Sequence, residues 1–176
     1  MSDSEVTRTM AEDGKVKTFN VVFDVEAKAV GKMRNEIRGQ MISPVLDEVF
    51  EMATDEGAAH GGDMTAPPPL AYFCTGFVAC LMTQLRAFAK RLRVPVGEMT
   101  VKAHIEWEAR VEGRNPYTSR PVAFRLDIDL KSDAPFEEQQ KLLDAATKGC
   151  FVEATLANPI PVNHRLMVDG AYRDAD

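Results

Sequence analysis

The sequence predicts an α+β fold, with antiparallel strands before and after one long apolar helix. No charged residue occurs from Leu70 to Leu85, whereas segments on both sides of this run alternate apolar with polar residues. Alternation is typical of strands with one dry face, and a long uncharged run is typical of a buried helix. Grouped strands around a central helix indicate α+β topology rather than repeated βαβ units.

The length and net charge of the chain limit the classes of function that it can have. The chain has 176 residues, of which 45% are hydrophobic, which is enough for one domain with a sizeable core. Its formal net charge of −6 argues against binding nucleic acid or an anionic membrane through an overall positive field. The N-terminus lacks a basic segment followed by an apolar one. We therefore expect a soluble, cytoplasmic protein with no membrane span.

Two strands are predicted before the helix. Residues 1–14 are polar without periodicity and are expected to form a disordered tail, which leaves 15–176 as a single domain. Apolar and polar residues alternate from Phe19 to Ala27, which predicts a half-buried strand. A turn and the start of a second strand are predicted in 31–39, and the acidic, glycine-containing segment 47–65 is predicted to be a connection.

The central helix is predicted to run from Pro67 to Val94. Prolines are tolerated in the first helical turn, so the proline run 67–69 would fix how the helix begins. Pro95 and Gly97 are expected to end it. Basic residues gather near its C-terminus, where cations complement the helix dipole: Arg86, Lys90, Arg91 and Arg93.

The second half of the chain predicts two clean strands, 101–112 and 122–131, each with one dry and one wet face. Ser132 and Asp133 are N-cap candidates for a second helix that is expected to run to about Lys148.

After this helix, residues 151–156 are predicted to form another helical turn, and a final strand is predicted around 162–168. The order of elements is therefore strands, helix, strands, helix and strand, which is the pattern of an α+β domain.

Three cysteines are the candidate reactive residues. An odd number at wide spacing does not make a secreted disulfide framework, and intracellular cysteine pairs are usually transient or catalytic. Cys80 lies mid-helix, where a cysteine is most often an inert core residue. Cys150 follows Gly149 and precedes a predicted helical turn, whose N–H groups would favour a thiolate. The two are candidates for a nucleophile and its resolving partner, a contact that spacing alone does not establish.

The remaining candidates have simpler interpretations. Cys74 is about 120° around the helix from Cys80 and is predicted to be a core residue. His104 falls on the wet face of its strand, and His164 has no assigned role. No CxxC or HxxxH spacing is present, so no metal site is predicted.

Taken in order, these features resemble the OsmC/Ohr family, the osmotically inducible and organic hydroperoxide resistance proteins. The resemblance extends over about 16–168 and depends on the combination rather than on one short motif. Its parts are Gly61-Gly62-Asp63, the prolines, the helix reaching Ala79-Cys80, the paired strands, and Gly149-Cys150 followed by Phe151-Val152-Glu153-Ala154-Thr155-Leu156 and a Pro-Ile-Pro-Val segment.

The resemblance implies an intertwined homodimer in which antiparallel sheets wrap the buried central helices. It also implies thiol peroxidase chemistry on a small hydroperoxide without a cofactor. Cys80 would match the cysteine that attacks the peroxide and becomes a sulfenic acid. Cys150 would match the cysteine that condenses with it to a disulfide, which a dithiol, in family members often a lipoyl group, then reduces.

One departure from the family pattern concerns the activation of Cys80. Well-characterised members carry a glutamate ten residues before the reactive cysteine, where it holds an arginine that stabilises the thiolate; this sequence has Leu70 there. Arg38 is the first candidate for that arginine and Arg34 the second. Phe151 also replaces a proline that often follows the second cysteine. Leu70 keeps an alternative open, a non-catalytic dimeric protein that binds a small hydrophobic or thiol ligand near Cys80.

Overall fold

The computed structural model describes residues 16–175, so the predicted tail 1–14 lies outside the described residues. Contacts divide the chain into two compact units, Met1–Ala71 and Tyr72–Asp176. In chain order the elements are β1 (Val22–Ala29), β2 (Asn35–Ser43), β3 (Val45–Thr54), a 3₁₀ turn (Ala58–His60), α1 (Pro69–Leu92), β4 (Met99–Arg110), β5 (Thr118–Leu130), α2 (Phe136–Gly149), α3 (Phe151–Ala157), β6 (Arg165–Val168) and β7 (Ala171–Asp174). The predicted α+β class with antiparallel sheets is confirmed.

The first unit contains a three-stranded antiparallel sheet in the order β1-β2-β3. On its apolar face the ring of Phe50 lies directly over Gly39, where any side chain would collide with it. Phe23 packs edge-on against Phe50 with ring centroids 6.4 Å apart. Among residues 16–71 no hydrophobic side chain is buried, and Phe23 and Val25 are 50% and 59% exposed. This sheet therefore has an apolar face that its own unit does not cover.

Strand β3 corrects the prediction that 47–65 is a connection. The first part of the segment 47–65 belongs to strand β3, Val45–Thr54, which pairs antiparallel with β2. The acidic residues led to the wrong prediction, since Glu51 is exposed and lies directly across from Arg38. A charged residue on the wet face of a strand costs little, and an opposite charge across the pair stabilises it.

The true connection, after Thr54, is organised by the buried carboxylate of Asp55. Its oxygens accept hydrogen bonds from Thr65 N at 2.9 Å, Thr65 Oγ1 at 2.7 Å and Glu56 N at 2.9 Å. These bonds lower the pKa of Asp55 because they stabilise its charged form. They fix the chain just before the prolines that begin α1.

Helix α1 is two residues shorter at each end than predicted. Its buried residues recur every four positions, at Phe77, Leu81, Leu85 and Ala89, and form one stripe. The prediction that the helix is buried is therefore confirmed only for this stripe. Elsewhere on the helix, Phe73 and Leu92 are 38% and 47% exposed. By length and composition alone α1 is apolar enough to cross a membrane, a test that core helices of soluble proteins also pass.

The second unit has its core where α1 and α2 meet. Leu81 and Leu85 of α1 pack with Leu142, Ala146 and Cys150, and all five are at most 1% exposed. The predicted pairing of the two clean strands is confirmed, because β4 and β5 are antiparallel.

Two local predictions in the second unit were wrong or incomplete. Ser132 does not cap α2, which begins after Pro135; its hydroxyl instead donates to Pro95 O. The final strand, predicted alone, is half of a hairpin, β6-β7. The turn between them is Asp169-Gly170, both with positive φ, and Asp-Gly is a strong hairpin signal that the sequence already contained.

Candidate active site

Cys80 lies in the middle of α1, at the border between core and surface. Its side chain is half-buried and packs against the core of the second unit. On the same side of the helix, Gly76 precedes it by one turn and is exposed, with nothing within 4 Å of the place where a Cβ would stand. Cys80 therefore combines core contacts with open space next to it.

Cys150 joins α2 to α3 and is fully buried, with 0% exposure. Its N–H donates to Thr147 O at 3.2 Å, and its carbonyl accepts from Ala154 N at 2.9 Å. These bonds attach the residue to the last turn of α2 and the first turn of α3. The backbone position of Cys150 is thus set by both helices.

The contact between Gly149 and α1 brings the two cysteines together. A Cβ on Gly149 would lie 2.6 Å from Cε2 of Phe88 and 3.5 Å from Oε1 of Gln84. Gln84 and Phe88 follow Cys80 by one and two helical turns on the same face. The close approach of this backbone places Cys150 near Cys80, which packs against the core cluster that contains Cys150 and contributes to the raised pKa of the Cys150 thiol.

The environment of Cys150 keeps its thiol protonated. Burial raises the pKa of Cys150 to about 11, and the hydrogen bond and charge of Cys80 act in the same direction. The backbone N–H groups of Glu153 and Val152 act against this rise because they stabilise a thiolate. The balance leaves Cys150 neutral near pH 7, while Cys80 is the member of the pair that solvent can reach.

Aromatic side chains line the N-terminal side of Cys80. Phe73 and Phe77, on preceding turns of α1, contact Phe124 of β5 with ring centroids 6.4 Å and 6.1 Å away. Trp107 of β4 completes the group at 5.7 Å from Phe124 and 6.0 Å from Phe73. The nearest turns of α1 therefore offer an apolar wall rather than charged groups.

The two candidate arginines lie in the first unit. Arg38 is exposed on β2, with Glu26 and Glu51 as its direct cross-strand neighbours. Arg34 is half-buried, and its guanidinium donates to Thr65 Oγ1 at 2.9 Å. Leu70, at the position of the family glutamate, is the second residue of α1 and is 55% exposed.

Other candidate residues do not join this site. Cys74 is half-buried, and His104 and His164 are exposed. Within residues 16–175, no three His, Cys, Asp or Glu side chains are arranged to hold a metal ion.

One polar group of this region was missed by the sequence analysis. Glu153 is half-buried, and burial raises its pKa. Its Oε1 is inaccessible to solvent and has no hydrogen-bond partner among the described residues. Its place three residues after Cys150, in a predicted helical turn, was the only available signal.

Comparisons with known proteins agree with the fold. A profile of OsmC-like proteins matches residues 60–165. The crystal structure of an OsmC-like hydroperoxide resistance protein from Jannaschia sp. CCS1 has 47% identity and a TM-score of 0.60, over 88% of this chain and 98% of that chain. The comparison with curated proteins gives no match.

More distant structures share the fold. An organic hydroperoxide resistance protein from Elizabethkingia anophelis has 21% identity and a TM-score of 0.55, over 81% of this chain and 93% of that one. The OsmC organic hydroperoxide resistance protein from Legionella pneumophila has 13% identity and a TM-score of 0.53, over 77% and 88%. The fold is therefore that of OsmC-like proteins, and this chain belongs to the OsmC-like family.

Replacing Gly149 with alanine should separate the two thiols. The new methyl group would overlap the Phe88 ring, so α1 and the end of α2 must move apart, at a cost of about 1–3 kcal/mol in the free energy of unfolding. Urea denaturation measures this loss.

The matched control is Gly76→Ala, where the added methyl group meets no atom within 4 Å. Removing a helical glycine there should leave stability unchanged or raise it by about 0.5–1 kcal/mol. Equal stability of Gly149→Ala and the wild type would contradict the close approach described above.

Proposed function

We propose that this protein is a thiol-dependent peroxidase that reduces organic hydroperoxides or hydrogen peroxide. The observation that carries the proposal is the pairing of a solvent-accessible cysteine, Cys80, with a buried one, Cys150. Membership of a family that includes hydroperoxide resistance proteins supports a redox role in the response to oxidative stress.

The chemistry assigns different roles to the two thiols. The Cys80 thiolate attacks the distal peroxide oxygen, the O–O bond breaks, and the leaving oxygen takes a proton to become an alcohol or water. This leaves a sulfenic acid on Cys80. The Cys150 sulfur then attacks Cys80, water departs, and a disulfide forms; an external dithiol, such as a lipoyl group, restores both thiols by exchange.

The surroundings of the pair suit this order of events. Cys150 is fully buried and its pKa is about 11, so it is a poor first nucleophile at neutral pH. Open space at Gly76 and the aromatic wall at Phe73 suit a substrate with an apolar group. These features support an organic hydroperoxide as one substrate class.

The working form is proposed to be an intertwined homodimer in the cytoplasm, with 15–176 acting as one OsmC-like domain. Support comes from apolar surface that one chain leaves open, on the sheet at Val25 and on α1 at Leu92. A second copy of the chain would cover such faces. Three free cysteines suit a reducing compartment.

Cumene hydroperoxide should oxidise the two thiols within seconds. One equivalent is expected to remove two free thiols and two hydrogens from the intact mass, and dithiols should reverse both changes. Cys80→Ser should abolish the reaction, Cys150→Ser should stop at a dimedone-reactive sulfenic acid, and Cys74→Ser should behave as the wild type.

Unreactive thiols in the wild-type protein would contradict a peroxidase. That result would favour the alternative function suggested by the exposed Leu70, which is binding of a small hydrophobic or thiol ligand without turnover.

Arg38 is proposed to favour the thiolate of Cys80 through its positive charge. Arg38→Gln should slow the loss of the first thiol roughly tenfold or more at pH 7, because less thiolate is present. Stopped-flow mixing with peroxide measures this rate. Arg34→Gln is the comparison variant: if it alone slows the reaction, Arg34 has the role, and if neither does, no arginine of β2 or its preceding turn activates Cys80.

The dimer should be visible by sedimentation equilibrium as a species of twice the chain mass of 19.5 kDa. Val25→Glu places a charge on the exposed apolar face of the sheet and should shift the equilibrium toward the monomer. Lys28→Glu, on the opposite, polar face of the same strand, should leave the mass unchanged. A wild-type monomer at micromolar concentration would contradict the proposal.

A further inference from the structure

Glu153 is a half-buried residue whose carboxyl the peroxidase steps above leave unused. One of its oxygens, Oε1, is shielded from solvent without a hydrogen-bond partner among the described residues. Burying such an atom costs free energy, and natural proteins rarely keep one without a use. Burial raises the pKa of its carboxyl.

The position of Glu153 relates it directly to Cys150. It is the third residue of α3, the helix that begins immediately after Cys150. Its backbone N–H acts on the Cys150 sulfur and opposes the rise in that thiol's pKa. Glu153 therefore lies in the helical turn that Cys150 begins.

Cys150 has a chemical need for a nearby base. To attack Cys80 it must lose a proton, yet it is fully buried and its thiol has a pKa of about 11. Among titratable groups on the helices around it, Cys80 of α1 is the reaction partner, and Asp144 and Lys148 of α2 are exposed. Glu153 is the only titratable residue of α3.

We infer that Glu153 carries the proton of Cys150 when the Cys80–Cys150 disulfide forms and when it is reduced. During formation the Glu153 carboxylate takes the proton from the Cys150 sulfur, the S–S bond forms, and the proton passes to the departing hydroxide, which leaves as water. During reduction a dithiol attacks Cys80, and the departing Cys150 thiolate takes a proton from the Glu153 carboxyl. The inference rests on the thiol pairing of the proposed function.

A reaction that bypasses peroxide tests this role. In a Cys74→Ser background, 5,5′-dithiobis(2-nitrobenzoate) releases one thionitrobenzoate when it modifies Cys80. A second is released when Cys150 attacks the mixed disulfide. Glu153→Gln should leave the first release unchanged and slow the second on the order of 100-fold. Glu138→Gln, an exposed residue of α2, should change neither rate.

The pH dependence of the second release separates proton transfer from a structural role. In the Cys74→Ser protein its rate should rise through an inflection above the usual range for glutamate, because burial raises that pKa. Glu153→Gln should lose the inflection and rise only toward the pKa of the Cys150 thiol, about 11. Glu153→Asp should restore part of the rate and the inflection.

The two proposals fail in different ways. If peroxide leaves the wild type unchanged but the second release occurs and depends on Glu153, the peroxidase fails and the proton carrier stands. The inference is overturned if the Glu153→Gln protein has native circular dichroism, releases the second thionitrobenzoate within about twofold of the rate of the Cys74→Ser protein, and shows the same pH profile. Absence of any second release in the Cys74→Ser protein also overturns it.

Discussion

The site depends on the approach of the Gly149 backbone to α1. The ring of Phe88 occupies the space where a side chain at this position would stand, so the end of α2 can lie this close to α1 because residue 149 has none. The next residue, Cys150, is thereby held opposite Cys80, which lies on the same face of α1 as Gln84 and Phe88. One close contact between two helices thus brings together thiols that are about seventy residues apart in sequence.

The same packing gives the two thiols different properties. Cys150 belongs to the core formed with Leu81, Leu85 and Leu142, where desolvation disfavours its thiolate. Cys80 lies on the flank of that core, beside the exposed Gly76. The two thiols therefore differ in burial, and in the proposed function the more exposed one is the nucleophile and the buried one its resolving partner.

The burial of Cys150 is also the reason why the carboxyl of Glu153 matters. A thiol outside the core could exchange protons with water, but the core that fixes Cys150 also excludes solvent from it. Glu153 lies in the turn that follows, is partly desolvated and has no hydrogen-bond partner for Oε1 within residues 16–175, which suits its carboxyl to the proposed role of holding a proton there. The first unit shows the opposite use of a carboxylate, since Asp55 accepts three hydrogen bonds and stays charged.

The sequence by itself determined the α+β class, the bounds of α1 to within two residues, the β4-β5 pair and the helix that delivers Cys150, because these depend on local periodicity. It was wrong on β3, where the acidic Glu51 lies on the wet face of a paired strand, and on Ser132, whose hydroxyl donates to the carbonyl of Pro95. Only the tertiary structure decided that Cys150 contacts Cys80, that Gly149 permits this and that Glu153 is desolvated. Contact and burial arise between segments far apart in the chain, and no periodicity within either segment records them.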